Sequence, residues 1–466
     1  MTTTATRLPP RLPISQAAIT ARYVLGGPMA ALKVRAGGGP VVLTTIPGFG
    51  DGISVTDPAF VKQVFTAPAD VVHGADFAPL ERTLGKNSSF ALDEAPHLAQ
   101  RRLLLPPFHG GRLAGYEAIF EEETLREIAT WPLEQDFRTL EPMMRITLNA
   151  ILRTVFGAED QEFDELRTFL PSWVKLGSYL TSAPALQKDL GPWSPWGKFL
   201  RMRRRFDAAI DRLIADGRAD ERLAERTDVL ALLLQASYDD GSPMTNAQLK
   251  DQLLSILVAG HETTAASLSW TVERLRRHPE IVERLRAEAE AGGSELREAT
   301  IREVQRSRSV ITGTLRWAHQ PFELGDWVIP PRMTIYVDGV AIHHDPSIYP
   351  EPHRFNPDRF VGVKPDTYAW IPFGGGRRRC VGAAFAHMEM DVVLRTLLLN
   401  VDLVPTTEPS ERWRFRGVAF APSKGGVARV RSRAAVALVA PRGRAAVPGV
   451  GDDQPPAGGD RQEAAA

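Results

Sequence analysis

The chain has 466 residues, 43% of them hydrophobic and 24% charged, with Lys+Arg and Asp+Glu equal at 56 each. That is the composition of a globular protein with a large core, and the charge balance gives no electrostatic case for nucleic acid or an anionic membrane as partner. The only cysteine, Cys380, rules out an internal disulfide and any multi-cysteine zinc or iron–sulfur centre, and fits a reducing cytoplasm.

The first 15 residues read as a loose arm, with no apolar run near 18 residues and no signal-peptide pattern, so no membrane anchor is expected. Residues 39–58, GPVVLTTIPGFGDGISVTDP, hold two β-like apolar runs with turn residues between them. From DPAFVKQVF to about residue 290 the hydrophobic period is helical, most clearly over 94–104, 112–130, 137–156, 160–178, 196–217, 226–237 and 245–277. The last of these opens with Thr245 and Gln248 at capping-box spacing and closes at His278-Pro279. Its length, on the order of 50 Å, would carry it through the middle of a domain. A shorter helix is expected at 294–307, then strand-like WVIPP and TIYVDGV, then the Pro-rich DPSIYPEPHRFNPDRF. Cys380 opens a final helix, 380–398, and the chain closes on β-like WRFRGVAFAP and GVARVRSR. Residues 436–466, rich in Ala, Gly and Pro without an aromatic, read as a disordered tail. The expectation is one large, mainly α domain over 16–435 with small β-sheets at its edge and a long central helix.

Cys380 stands in PFGGGRRRCVG, residues 372–382. A lone cysteine is most often a small buried hydrophobe, but three glycines and three arginines are poor surroundings for a core filler. A thiolate at a helix start is stabilised by the dipole and free N–H groups, and the glycines allow a close backbone approach or positive φ. Neither form of Gly-rich phosphate loop is present.

The stretch FGGGRRRCVG resembles the haem-binding loop of the cytochrome P450 family, F-x-x-G-x-R-x-C-x-G, with every fixed position filled. The resemblance implies that Cys380 is the axial ligand of haem b, that Phe373 packs near the sulfur, that Arg378 pairs with a haem propionate and that Gly382 leaves room beside the cofactor. A thiolate ligand favours O–O cleavage. AGHETT, residues 259–264 of the long helix, resembles the family's oxygen-activation motif, with Ala259 beside the haem and Glu262 and Thr263 as an acid–alcohol pair for proton delivery. Glycine costs roughly 1 kcal/mol inside a helix, and Thr263 can bond back to the Ala259 carbonyl and loosen the turn. On its own E-T-T would be a solvated polar stripe.

Glu303 and Arg306 lie at i,i+3 on one helix face, a spacing with little meaning by itself. In the family such a pair is structural and is joined by an arginine of a segment similar to FNPDRF, here Arg359. His97 and Arg101, at i,i+4, resemble the propionate pair of bacterial members, and Arg316 a third propionate contact. One departure stands out: RSRSVIT, residues 306–312, has Ser309 and Val310 where the family usually has prolines bordering the substrate pocket.

The resemblance covers roughly residues 40–430. It implies a monomeric, cytoplasmic haem-thiolate monooxygenase that uses O2 and takes electrons from NAD(P)H through a ferredoxin or flavodoxin and its reductase. The alternatives are a haem-thiolate peroxygenase or isomerase, or a non-catalytic haem-binding protein. Apolar pocket walls are expected from residues 77–92, 168–182, Ala259, 309–312 and 418–421, with Leu84, Phe90, Val310 and Phe420 as examples. They suit a hydrophobic small molecule.

Overall fold

Thr245 starts the longest helix, Asn246–Leu275, with a capping box: its hydroxyl accepts the Gln248 N–H at 3.3 Å, and the Gln248 side-chain oxygen accepts the Thr245 N–H at 2.9 Å. It runs roughly 45 Å. Side chains are buried around most of its circumference from Leu249 to Leu275, as in a helix enclosed by others rather than lying on a surface. The computed structural model describes residues 7–35, 37–46, 49–74, 78–157 and 162–432. The expected tail, 436–466, and part of the expected arm lie outside the described residues.

Gly260 sets how closely a neighbour approaches this central helix. A Cβ there would stand 2.4 Å from Ile151 Cδ1 on helix Leu140–Phe156. Helices Pro195–Ala219, Glu295–Ser307 and Ala383–Asn400 also pack on it. One apolar cluster gathers Phe120, Trp173, Phe206 and Leu253; a second gathers Met143, Trp270, Val304 and Val393.

The largest sheet has five strands: β1 (Val41–Ile46), β2 (Gly50–Val55), β3 (Val72–His73), β4 (Thr314–Ala318) and β5 (Thr334–Val337). Their order is β1-β2-β5-β4-β3, with β2 and β5 parallel and the other pairs antiparallel. The buried face of Val41, Ile53, Val55, Ile335 and Val337 explains the β-branched runs. Two-stranded ladders join Phe137–Arg138 to Val427–Ala428 and Trp413–Phe415 to Phe420–Pro422. Among the described residues no helix is long and apolar enough to cross a membrane.

Several expected boundaries move. Phe137–Arg138 pair as a strand, so the helix expected from 137 begins at Leu140. The helix expected over 112–130 starts as a 3-10 turn, Gly110–Tyr116, and becomes α only over Glu117–Ile128. Pro279–Glu290 is a separate helix with proline at its first turn. Gln16–Arg35 is helical with a kink, where Gly27 takes φ +70° immediately before Pro28. Cys380 does not open the last helix: Gly382 is its N-cap and Ala383 its first residue.

Candidate functional site

The cysteine loop is shaped by its glycines. Gly374 and Gly376 take φ of +63° and +64°, a region that favours glycine. A Cβ on Gly375 would stand 2.2 Å from the Phe65 ring, so the flat group this loop approaches within the protein is Phe65. The loop closes where the Cys380 N–H donates to the Phe373 carbonyl at 3.0 Å. The Phe373 ring packs at a tilt against His387 and edge-on to Trp370, with centroids 5.1 and 6.1 Å away. Cys380 is exposed, and a Cβ at Gly382 would meet no protein atom within 4 Å.

Although Cys380 keeps access to solvent, the protein packed around the sulfur desolvates the thiol and pushes it up, against the opposing pull of the Gly382 N–H and of Arg101 and Arg379. The helix-dipole argument for a thiolate therefore fails, because the helix starts three residues beyond the sulfur. A bound metal ion would supply the missing stabilisation, since coordination deprotonates a thiol outright.

Cations converge nearby. His97, Arg316 and Arg378 line one cavity with Phe65, Gly74 and Asp93. Burial, then repulsion from Arg378, lowers Arg316 to about 10. Burial, then Arg378, Arg101 and Arg316, lowers His97 to about 3, so with no anion beside it His97 is a neutral hydrogen-bonding group. Arg101 is also lowered by burial; the Cys380 charge opposes this, and Arg379 and Arg378 add to it. Arg378 ion-pairs with Asp93, a partner the sequence motif did not disclose. Asp93 also accepts the Gly74 N–H at 2.7 Å. Arg316 is braced by the Gly375 carbonyl at 3.0 Å and by Thr314 Oγ1 at 2.8 Å. Guanidiniums that repel one another and a neutral imidazole are a donor set for anionic oxygens. The two carboxylates of a haem fit it.

On the central helix, Thr263 Oγ1 donates to the Ala259 carbonyl at 2.7 Å and Thr264 Oγ1 to Gly260 at 3.0 Å. Both bonds fit within a continuous helix, so the turn is not opened as expected. Glu262 is buried, and the Arg416 Nε–H donates to its Oε1 at 2.8 Å. His261 Nδ1 lies 3.1 Å from the Leu257 carbonyl, an internal helix contact. Opposite Thr264 sits Glu389, whose carboxyl burial pushes well above the ordinary range, with the Thr264 hydroxyl opposing the shift. Neither Arg416 nor Glu389 was singled out from sequence, since no local spacing ties them to AGHETT.

Glu303 and Arg306 meet without exposure. Arg306 Nε and Nη2 donate to the two Glu303 oxygens at 2.7 and 2.8 Å, and Arg306 Nη1 donates to the His343 carbonyl at 2.6 Å. Arg359 Nε lies 3.1 Å from Glu303 Oε2 but out of line for a hydrogen bond. The Asn356 N–H completes the carboxylate at 3.0 Å.

Ser309, in place of the usual proline, is buried, donates to the Gln305 carbonyl at 2.9 Å and lies 3.0 Å from His343 Nδ1. It lies just beyond the end of helix Glu295–Ser307, and its hydroxyl takes up a carbonyl of the last turns. Val310 accepts the Phe420 N–H at 2.9 Å, and Phe420 packs edge-on against Tyr23. Leu84 lines a second cavity with Trp173, Phe199, Leu254, Val258 and Val418. Of the four expected wall residues, Leu84 alone lies there, and Phe90 is exposed. Trp173 and Val418 come from expected segments; Phe199, Leu254 and Val258 do not.

The model of a family described as cytochrome P450 matches residues 33–428. The chain is 52% identical over 386 residues to a Mycobacterium tuberculosis (strain ATCC 25618 / H37Rv) protein named "Putative cytochrome P450 138", covering 83% of this chain and 87% of that one. It is 36% identical over 438 residues to "Putative cytochrome P450 137" of the same strain, covering 92% and 91%. The retinoic acid-bound cyanobacterial CYP120A1 structure shares the fold, with a TM-score of 0.80 at 22% identity over 92% of this chain and all of that one.

Proposed function

The chain belongs to the cytochrome P450 family, whose general activity is haem-thiolate monooxygenation, and from that premise we propose that it inserts one atom of O2 into a hydrophobic small molecule, with Cys380 as iron ligand and with electrons passed from NAD(P)H through a separate ferredoxin or flavodoxin and its reductase. The observation that carries the proposal is the cavity of His97, Arg316 and Arg378, where Arg378 stands two residues before the exposed Cys380 and Arg101 acts on both Cys380 and His97.

Haem, when bound, supplies the activation of O2. The residues of the chain bind and orient. Arg101, Arg316 and Arg378 offer charged donors to the propionates, and neutral His97 offers an N–H. Thr263, whose hydroxyl proton is committed to Ala259, retains its oxygen lone pairs to hold a water. Glu262 is the nearest acid along the helix to exchange a proton with that water. The cavity of Leu84, Trp173, Phe199, Leu254 and Val258 is apolar on most sides and abuts Ala259 in sequence, which favours an apolar substrate.

The peroxygenase alternative draws on one observation, the Arg416 guanidinium that engages Glu262. The test is the CO difference spectrum of the reduced holoprotein and of Cys380→Ser. The long-wavelength band of a thiolate-ligated haem is expected in the first and lost in the second, because the axial ligand sets the haem's electronics. An unchanged band in Cys380→Ser defeats the assignment.

A further inference from the structure

His73, Glu94 and His319 come together at the β3 edge of the five-stranded sheet, and one ligand atom from each lies within 4.8 Å of the others. Strand pairing brings in the histidines. His73 ends β3, His319 directly follows β4, Val72 pairs with Ala318, and the His319 N–H donates to the Val71 carbonyl at 2.8 Å. The two imidazoles stack with centroids 4.1 Å apart and planes 10° from parallel. Glu94, the first residue of helix Glu94–Leu104, brings the carboxylate, held at φ +50° in the left-handed region that non-glycine residues seldom occupy.

One polar atom here is left unsatisfied. His73 Nε2 is buried and 2.9 Å from Glu94 Oε1, yet out of line for a hydrogen bond, so it has no hydrogen-bond partner. Two stacked rings cannot bond to each other edge-on. Glu94 and His319 are both exposed, so their ends are free to turn.

We propose that His73, Glu94 and His319 bind a divalent zinc-class cation, with two imidazole nitrogens and one carboxylate oxygen as protein ligands and water in the fourth position. Imidazole and carboxylate are ordinary zinc donors at about 2.0–2.2 Å, which sets tetrahedral ligand separations near ~3.3 Å. The His73–Glu94 distance of 2.9 Å already approaches this. His319 must swing out of the stack so that its nitrogen lone pair points at the ion.

The position gives the site a consequence. Gly74, next to His73, and Asp93, next to Glu94, are joined by the 2.7 Å bond that helps hold Asp93 against Arg378. A metal ion would tie the sheet edge to the helix start on either side of that bond, bracing the cavity of His97, Arg316 and Arg378.

The test uses tag-free holoprotein dialysed against chelator, then titrated with Zn2+ by calorimetry, alongside His319→Ala, Glu94→Gln and the control His353→Ala. One ion per chain is expected, weakened by ~100-fold or more in His319→Ala, because even indirect partners of a metal ligand are worth ~10–100-fold. Glu94→Gln should also weaken it, and His353→Ala should not. The haem spectrum of His319→Ala should match the parent, which shows that the fold is intact. No binding at millimolar Zn2+, or equal binding by His319→Ala and the parent, overturns the site. Zn2+ should also slow haem transfer to an apo-acceptor in the parent but not in His319→Ala; a rate unmoved in the parent overturns the bracing.

Discussion

Glu303→Ala removes a fully buried carboxylate on which two guanidiniums converge. Glu303 and Arg306 have no exposure, and Arg359 is mostly covered. The substitution deletes the bidentate pair at 2.7 and 2.8 Å, the 3.1 Å contact with Arg359 and the acceptor of the Asn356 N–H. Arg306 keeps its bond to the His343 carbonyl and the Tyr349 ring 5.2 Å away, but its charge is left buried without a counterion. Breaking such a pair costs roughly 3–5 kcal/mol. The orphaned N–H costs about 1–3 kcal/mol on its own, though the two do not simply add. Against a net stability of about 5–15 kcal/mol, the loss is a large fraction. Urea unfolding of holoprotein, followed by circular dichroism and haem absorbance together, should show the unfolding free energy falling by that amount. Adding Arg306→Met should recover part of the loss, because the charge that lacks a partner is gone. The reasoning is refuted if Glu303→Ala unfolds within about 1 kcal/mol of the parent, or if the double variant is less stable than the single one.

Other outcomes follow from the same contacts. Arg101→Ala and Arg378→Ala should each lose haem faster to an apo-acceptor, by ~10-fold or more, since a charge-assisted bond contributes about 1.5–3 kcal/mol; unchanged rates in both would make them structural cations only. His97, lowered to about 3 by burial and three arginines, should cost stability as pH falls. The unfolded chain takes up a proton near pH 6.5 that the folded state refuses, so stability present above pH 6.5 drains away toward pH 3, and His97→Gln should flatten the profile there. Thr263→Ala should leave haem binding intact and NAD(P)H consumption comparable, while product per NAD(P)H falls and hydrogen peroxide rises; wild-type coupling across several substrates would move the proton path off Thr263.

The sequence was most legible where one short segment carries its own geometry. The helix expected over 94–104 matches Glu94–Leu104, because its period and its polar first turn are local. The Thr245–Gln248 capping box and the Thr263 bond to Ala259 are four residues or fewer in span, and both formed. The Glu303–Arg306 pair is likewise a one-turn contact. Strands of two or three residues, such as Phe137–Arg138, are below the reach of periodicity, and that one exists because Val427–Ala428 lies beside it.

Partners from distant segments were the illegible part, and they change the chemistry most. The motif named Arg378 but not Asp93, which claims its charge. It named Glu262 but not Arg416, on the β-hairpin near the chain's end, which reaches back to that carboxylate at 2.8 Å. Gly260 looked like a weak point placed for function, yet the Ile151 side chain occupies the space a Cβ would need. The family's motifs therefore specify which side chains are present at the site, while ion pairs made by the rest of the fold set how strongly each is held. The Arg416 Nε–H occupies Glu262 Oε1, so any proton passing through this carboxylate must use its other oxygen or break that bond. That constraint lies in the closing hairpin and not in AGHETT, and it ties the Glu262 carboxylate to whatever moves that hairpin.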